Sequence, residues 1–306
     1  MKQIATGTDD FKKIIESNSL FIDKTLFIKE LIDDASEVLL FPRPRRFGKT
    51  LNMSMLSYYF DNTLESSDLF NGLNISKCGD IYLKEMNKYP VIYITLKSTK
   101  KNTYEEFILS FKGIISDLYE KYEYLLGSDK IKNVDKEYFE RCLNKKEDIE
   151  LYYALSNLCK MLETYYDEKV IVLLDEYDAG ILGGYNKGFY DAVIDFMRNV
   201  FSSTFKNNLS LKKGVITGIL RVSKEGMFSD ANNITIYNIT DYKYQKYFGF
   251  TEEEVKEVLN EYKVSEYFDE VKKWYDGYNF SGITIYNPWR ILNFLSDSEH
   301  RLKHNG

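Results

Sequence analysis

Residues Val170-Ile171-Val172-Leu173-Leu174 form a short, uncharged, largely β-branched run that ends on Asp175-Glu176-Tyr177-Asp178. A run this apolar, with no polar alternation, fits a strand buried on both faces, as strands of a parallel sheet are. Val38-Leu39-Leu40-Phe41, Val91-Ile92-Tyr93-Ile94-Thr95-Leu96, Gly214-Val215-Ile216-Thr217-Gly218 and Ile234-Thr235-Ile236-Tyr237 read the same way. Segments with helical periodicity separate them. Strand and helix therefore alternate along the chain, which predicts a three-layer α/β fold with a mostly parallel sheet.

Helices are expected at Phe11–Ile15, from Leu26 to Ile32, from Lys49 onward, and over residues 189–205. Residues 102–166 carry several lysine- and glutamate-bearing helical patterns without Gly or Pro clusters, and are expected to form a helical insertion. At 306 residues the chain is long for one domain. The expected division is a core over residues 1–245 and a small helical, lid-like domain over 246–306. Thr251 and Glu254 have the spacing of a capping box, Asn287-Pro288 suits another helix start, and the last ten residues read as a polar tail.

The net charge of −6 offers no global attraction for nucleic acid or for an anionic membrane. Cys78, Cys142 and Cys159 are odd in number and widely spaced, which disfavours a disulfide framework or a zinc site and fits a reducing cytoplasm. No leader is evident at the N-terminus, and no apolar stretch reaches the ~18 residues of a membrane span. The two histidines, His300 and His304, lie in the polar tail, which argues against a Ser-His-Asp triad or a histidine-built metal site.

Against these exclusions stands a phosphate-loop pattern. Its eight positions read Arg43-Pro44-Arg45-Arg46-Phe47-Gly48-Lys49-Thr50, with arginine where the first glycine is usual. The N–H groups of Arg45, Arg46, Phe47, Gly48, Lys49, Thr50 and Leu51, at the start of a helix, would cradle the phosphates. Lys49 would bridge the β- and γ-phosphates, and Thr50 would ligate Mg2+. At the end of the most apolar strand, Asp175 would hold the metal and Glu176 would act as general base toward water. Thr217 is a candidate contact for the γ-phosphate and Arg221 a candidate cation for the transition state, while Asp178 suits a structural place in a turn. Arg198 or Arg221 could also act in trans on a second copy or a protein partner.

The basic loop could instead bind a nucleic-acid backbone, and the Trp274-Tyr275-Asp276-Gly277-Tyr278 cluster could stack a base or close a small core.

These motifs, together with Phe21-Ile22-Asp23-Lys24-Thr25, Thr217-Gly218-Ile219-Leu220-Arg221-Val222-Ser223-Lys224 and Ile285-Tyr286-Asn287-Pro288-Trp289, resemble the bacterial AAA-ATPase-like family. Members often carry a C-terminal PD-(D/E)XK nuclease-like domain. The resemblance implies a P-loop fold that binds ATP and Mg2+, with Arg43 in place of glycine as the family's own variant. It also implies that the Thr217 strand lies between the Lys49 and Asp175 strands. Gly180 departs from the proline expected there, a change read as loosening a loop. The chain stops soon after Trp289, so no nuclease residues are carried over. Two functions follow as expectations: magnesium-dependent ATP hydrolysis, or a nucleotide-binding switch or scaffold with little turnover, linked to nucleic-acid processing or defence.

Overall fold

The computed structural model describes residues 2–145, 150–220, 233–274, 277–280 and 282–304. In chain order the elements are α1 (Phe11–Glu16), α2 (Leu26–Asp33), β1 (Val38–Pro42), α3 (Lys49–Phe60), α4 (Asp80–Leu83), β2 (Val91–Thr95), α5 (Tyr104–Glu120), α6 (Asn133–Leu143) and α7 (Ala154–Tyr166). They continue with β3 (Val170–Asp175), α8 (Ala179–Lys187), α9 (Tyr190–Phe205), β4 (Leu211–Gly218), β5 (Ile234–Ile236), β6 (Phe250–Thr251), α10 (Glu252–Glu261), α11 (Phe268–Trp274), β7 (Tyr278–Phe280), β8 (Ile283–Tyr286) and α12 (Pro288–His304).

The first five strands form one sheet in the order β2-β3-β4-β1-β5, and every pairing is parallel. β4 therefore lies between the strands that lead to Lys49 and to Asp175. The runs look uniformly apolar because both faces of the sheet are covered. Val170, Val172 and Leu174 enter a core with α5, α7 and α9, whereas Ile171 and Leu173 enter a second core with α1, α2 and α3. β1 is split in the same way, with Val38 and Leu40 on one side and Leu39 and Phe41 on the other. Alternate residues of one strand thus anchor the two outer layers.

The segment expected to be wholly helical also contains a three-stranded antiparallel sheet, order β6-β8-β7. Its strands have two to four residues, too short to show a clear period of two. Thr251 ends β6 and also caps α10: its hydroxyl accepts from Glu254 N while Glu254 Oε2 accepts from Thr251 N, completing the capping box. The backbone continues as helix α12 to His304 where a polar tail was expected.

A third apolar cluster belongs to this part of the molecule. It gathers Phe250, Val255, Leu259, Tyr286, Ile291 and Leu295, and it takes in Leu20 from the other end of the chain, with Ile4 and Ile22 packed against it. The Lys24 ammonium seals this junction. It donates to both carboxylate oxygens of Glu254, at 2.5 and 2.6 Å, and to the Lys246 carbonyl at 2.6 Å. Burial lowers the pKa of Lys24, and the Glu254 carboxylate opposes that shift. Cutting such a buried pair on one side costs about 3–5 kcal/mol.

Gly180 does not loosen a loop. It sits in the first turn of α8, where a β-carbon would lie 2.4 Å from Phe107 Cε2. Arg221 lies outside the described residues, as do Val222, Ser223, Lys224, Tyr275 and Asp276.

Candidate functional site

The phosphate-loop residues leave β1 and enter α3 at the carboxyl edge of the parallel sheet. Pro42 pairs with Gly218 of β4, and Arg43 N donates to the Gly218 carbonyl at 2.9 Å. Two residues of the loop have left-handed backbone, Arg46 at φ 66° and Gly48 at φ 77°. No atom lies within 4 Å of where a Gly48 β-carbon would sit, so its glycine is required by backbone conformation and not by space. The turn aims the Lys49 side chain back into the loop. Its ammonium donates to the carbonyls of Arg43 at 3.0 Å and Pro44 at 2.8 Å. Burial lowers the pKa of Lys49, while Asp175, Asp178 and Glu176 work to keep it charged.

Arg43, in place of the first glycine, turns away from the loop and is fully buried. Its guanidinium donates to the carbonyls of Tyr237, at 2.6 Å, and of Pro42, at 3.0 Å, and lies 4.9 Å above the Phe248 ring. Burial pulls its pKa down to about 10. Lys49 is also buried, so of the four clustered charges only Arg45 and Arg46 reach the surface. The loop is therefore not the four-charge basic face that a purely backbone-binding module would present.

Opposite the loop, Asp175 ends β3 with its carboxylate shared. One oxygen accepts from the Thr50 hydroxyl at 2.7 Å, and the other accepts from the Thr217 hydroxyl and from Glu176 N at 2.9 Å. In this arrangement Thr217 holds Asp175 in place, and a phosphate contact by Thr217 would require that bond to be exchanged. Glu176 has a left-handed φ of 51°, which swings its side chain out of the strand direction. Burial raises its pKa above the usual carboxylate value, Asp175 adds to the rise, and Lys97 and Lys49 oppose it. Asp178 is buried and accepts from Ile219 N at 2.8 Å and Leu220 N at 2.6 Å. Tyr177 donates its hydroxyl to the Leu220 carbonyl at 2.7 Å. Together these two residues fix the exit of β4.

A cleft of about 660 Å³ opens between loop and acidic edge. Arg45 through Asn52 line one side, Glu176 and Asp178 another, and Lys97 and Lys100 a third. Away from the charges its wall becomes largely apolar, with Ile14, Leu20, Ile22, Phe250, Trp289 and Leu292. The N-terminal stretch Ala5–Asp9 completes that end. The cleft thus joins a polar half, carrying both cations and carboxylates, to an apolar half.

The C-terminal segment grips the loop at three successive residues. Asn287 Nδ2 donates to the Arg45 carbonyl at 3.4 Å, the Arg46 guanidinium lies 3.8 Å above the Trp289 ring, and the buried Phe47 ring meets Tyr278 edge-on at 5.2 Å. A β-carbon on Gly249 would lie 2.9 Å from the Phe47 ring, so that glycine leaves room for it.

Of the residues singled out from sequence, Arg45, Arg46, Phe47, Gly48, Lys49, Thr50, Leu51 and Glu176 line one cleft, with Asp175 beside it through Thr50. Arg198 stands apart on α9, paired with Asp195 at 2.8 Å. The sequence reading missed Lys97, Lys100, Ala5–Asp9, Phe250 and Leu292 as walls. An exposed lysine after a strand and scattered apolar residues give no local signal. Among the described residues no three metal-ligating side chains cluster, and no helix is long and apolar enough to cross a membrane.

A family described as predicted AAA-ATPases matches residues 5–228 of the chain. An uncharacterized protein in the vnfD 5' region of Azotobacter chroococcum mcd 1 is 27% identical over 302 residues. That alignment takes in 98% of this chain and 53% of the relative, so the chain spans about half the length of the curated relative it matches.

Proposed function

The chain belongs to the AAA-ATPase-like family, and on that premise we propose that it binds ATP in this cleft and hydrolyses it with magnesium. The observation that carries the reading is the 2.7 Å bond between Thr50 and Asp175, which joins the loop exit to the acidic strand end. Magnesium suits that pair. Thr50 and Asp175 would hold the ion through hard oxygens that lie side by side, and it would supply charge neutralisation for the phosphates there.

The chain's own groups do the rest. Backbone N–H groups at the start of α3 receive the phosphates, and Lys49 exchanges its loop carbonyls for phosphate oxygens. Thr217 holds Asp175 in register. Glu176 takes a proton from water, whose oxygen forms the new bond to the γ-phosphorus. The bond to the bridging oxygen breaks and ADP leaves with the electron pair.

The test is Glu176→Gln. Turnover is expected to fall by about 10²-fold or more, with ATP affinity held within about threefold. In the wild type, turnover should decline as pH falls through a value above the ordinary carboxylate range, because protonated Glu176 cannot accept the proton. That limb should be absent from any residual activity of the variant. Equal turnover in both proteins would defeat the assignment.

One observation favours a second reading, a nucleotide switch with little turnover. Lys49 is tied to its own loop and the C-terminal segment grips Arg45, Arg46 and Phe47, a state that nucleotide binding would have to rearrange. Tight ATP binding by calorimetry with phosphate release at background would select it.

A further inference from the structure

We infer that Lys97 is a further cation of the site, placed to contact the γ-phosphate from the β2 side and so to distinguish a nucleoside triphosphate from a diphosphate. The inference rests on the nucleotide-binding reading above and adds to it a residue that no motif contains.

The placement follows from sheet register. Thr95 pairs with Asp175 across β2 and β3, and Leu96 N donates to the Asp175 carbonyl at 2.9 Å. Lys97 is thus the second residue past the position level with Asp175, at the strand end where Glu176 begins. It lines the same cleft as Lys49 and Glu176. Its positive charge bears on Glu176, where it opposes the rise caused by burial.

The loop that carries it is built into the fold rather than draped over it. Thr99 is buried and donates its hydroxyl to the Leu96 carbonyl at 2.7 Å. The next residues lie against α8 where that helix is nearly bare. A β-carbon on Gly183 would stand 3.2 Å from both N and O of Lys101 and 3.4 Å from Lys100 Cα, and one on Gly180 would stand 3.1 Å from Thr99 Oγ1. α8 itself begins directly after Asp178. The acidic edge and the segment that follows Lys97 are therefore packed against each other through the glycines of α8.

Lys49 has loop carbonyls to leave before it meets phosphate. A second cation on another wall of the same cleft offsets the negative charge that the γ-phosphate brings beside Glu176. As the bond to the bridging oxygen breaks, Lys97 neutralises the equatorial γ-oxygens while the electron pair leaves with ADP.

The experiment compares wild type, Lys97→Ala and Lys97→Arg, with Mg2+ present, by calorimetry against ATP and ADP and by steady-state phosphate release. Lys97→Ala should lose about tenfold in ATP affinity with ADP binding kept within about twofold, and should lose at least about tenfold in kcat. Lys97→Arg should recover most of each. Unchanged ATP-to-ADP preference in Lys97→Ala, or an equal loss for both nucleotides, would overturn the inference while leaving ATP binding intact. Wild-type protein that binds neither nucleotide would remove the underlying reading and this inference with it.

Discussion

The two ends of the phosphate loop hold buried cations in opposite ways. At the entry, Arg43 points out of the loop into an aromatic pocket, held by the Tyr237 carbonyl and the Phe248 ring. It does not line the cleft, and nothing a ligand brings would replace those contacts. At the exit, Lys49 points inward, and among the described residues its ammonium donates to carbonyls of the loop itself. On the nucleotide-binding reading those bonds would be exchanged, because phosphate oxygens are stronger acceptors for an ammonium than neutral carbonyls are. One cation fixes the loop on the sheet, and the other waits in it. On the proposed nucleotide-binding reading, the first glycine is dispensable because the positions that need open backbone and free N–H groups are the later ones.

The contrast can be broken by three substitutions. Lys49→Ala should have the largest effect, reducing turnover by about 10²–10³-fold in a phosphate-release assay with the melting temperature little changed. An equally large fall in thermal stability would mean that the exit cation is structural after all. Arg43→Ala should do the reverse. It should cost about 2–4 kcal/mol by denaturant titration, through lost packing over Phe248 and lost carbonyl bonds, while the folded fraction binds ATP with nearly wild-type affinity. Gly48→Ala should cost the least, about 1 kcal/mol, since a β-carbon there meets no atom and only the left-handed φ is strained. A larger loss would point to a steric role for Gly48.

The parallel sheet was legible because its strands are buried on both faces, which leaves runs such as Val170–Leu174 with no polar residue to confuse them. The loop and acidic edge were legible because short-range chemistry placed them: Gly48 before a helix, Asp175 at a strand end. The rest of the site depends on partners distant in sequence. Lys24 meets Glu254 across 230 positions, so neither residue advertises the other. Phe47 reads as a loop residue supplying an N–H, yet its ring is clasped by Tyr278 and the space beside Gly249. Gly180 reads as loosening a loop, yet residues 179–187 form α8, where Gly183 and Gly184 admit the backbones of Lys100–Lys101 and Phe189–Tyr190. Helix propensity alone could not foresee that packing. Tyr278–Phe280 and Ile283–Tyr286 pair as a hairpin too short for its alternation to stand out.

The junction between the chain's two ends has a consequence for the order in which the protein is made. Leu20 joins the cluster that holds Leu259, Lys24 meets Glu254, and the Lys2 carbonyl accepts from the Tyr262 hydroxyl, the last across 260 positions. Contacts this distant in sequence are expected to close late, since chain entropy must be spent before they form. While the parallel sheet is being completed on the ribosome, α1 already packs on α3 through Phe11, but Ile4, Leu20 and Ile22 lack the C-terminal cluster they join and the cleft lacks part of its apolar wall. A nascent chain ending before residue 250 would therefore carry the phosphate loop without Phe250, Trp289 and Leu292, which complete the apolar wall of the cleft.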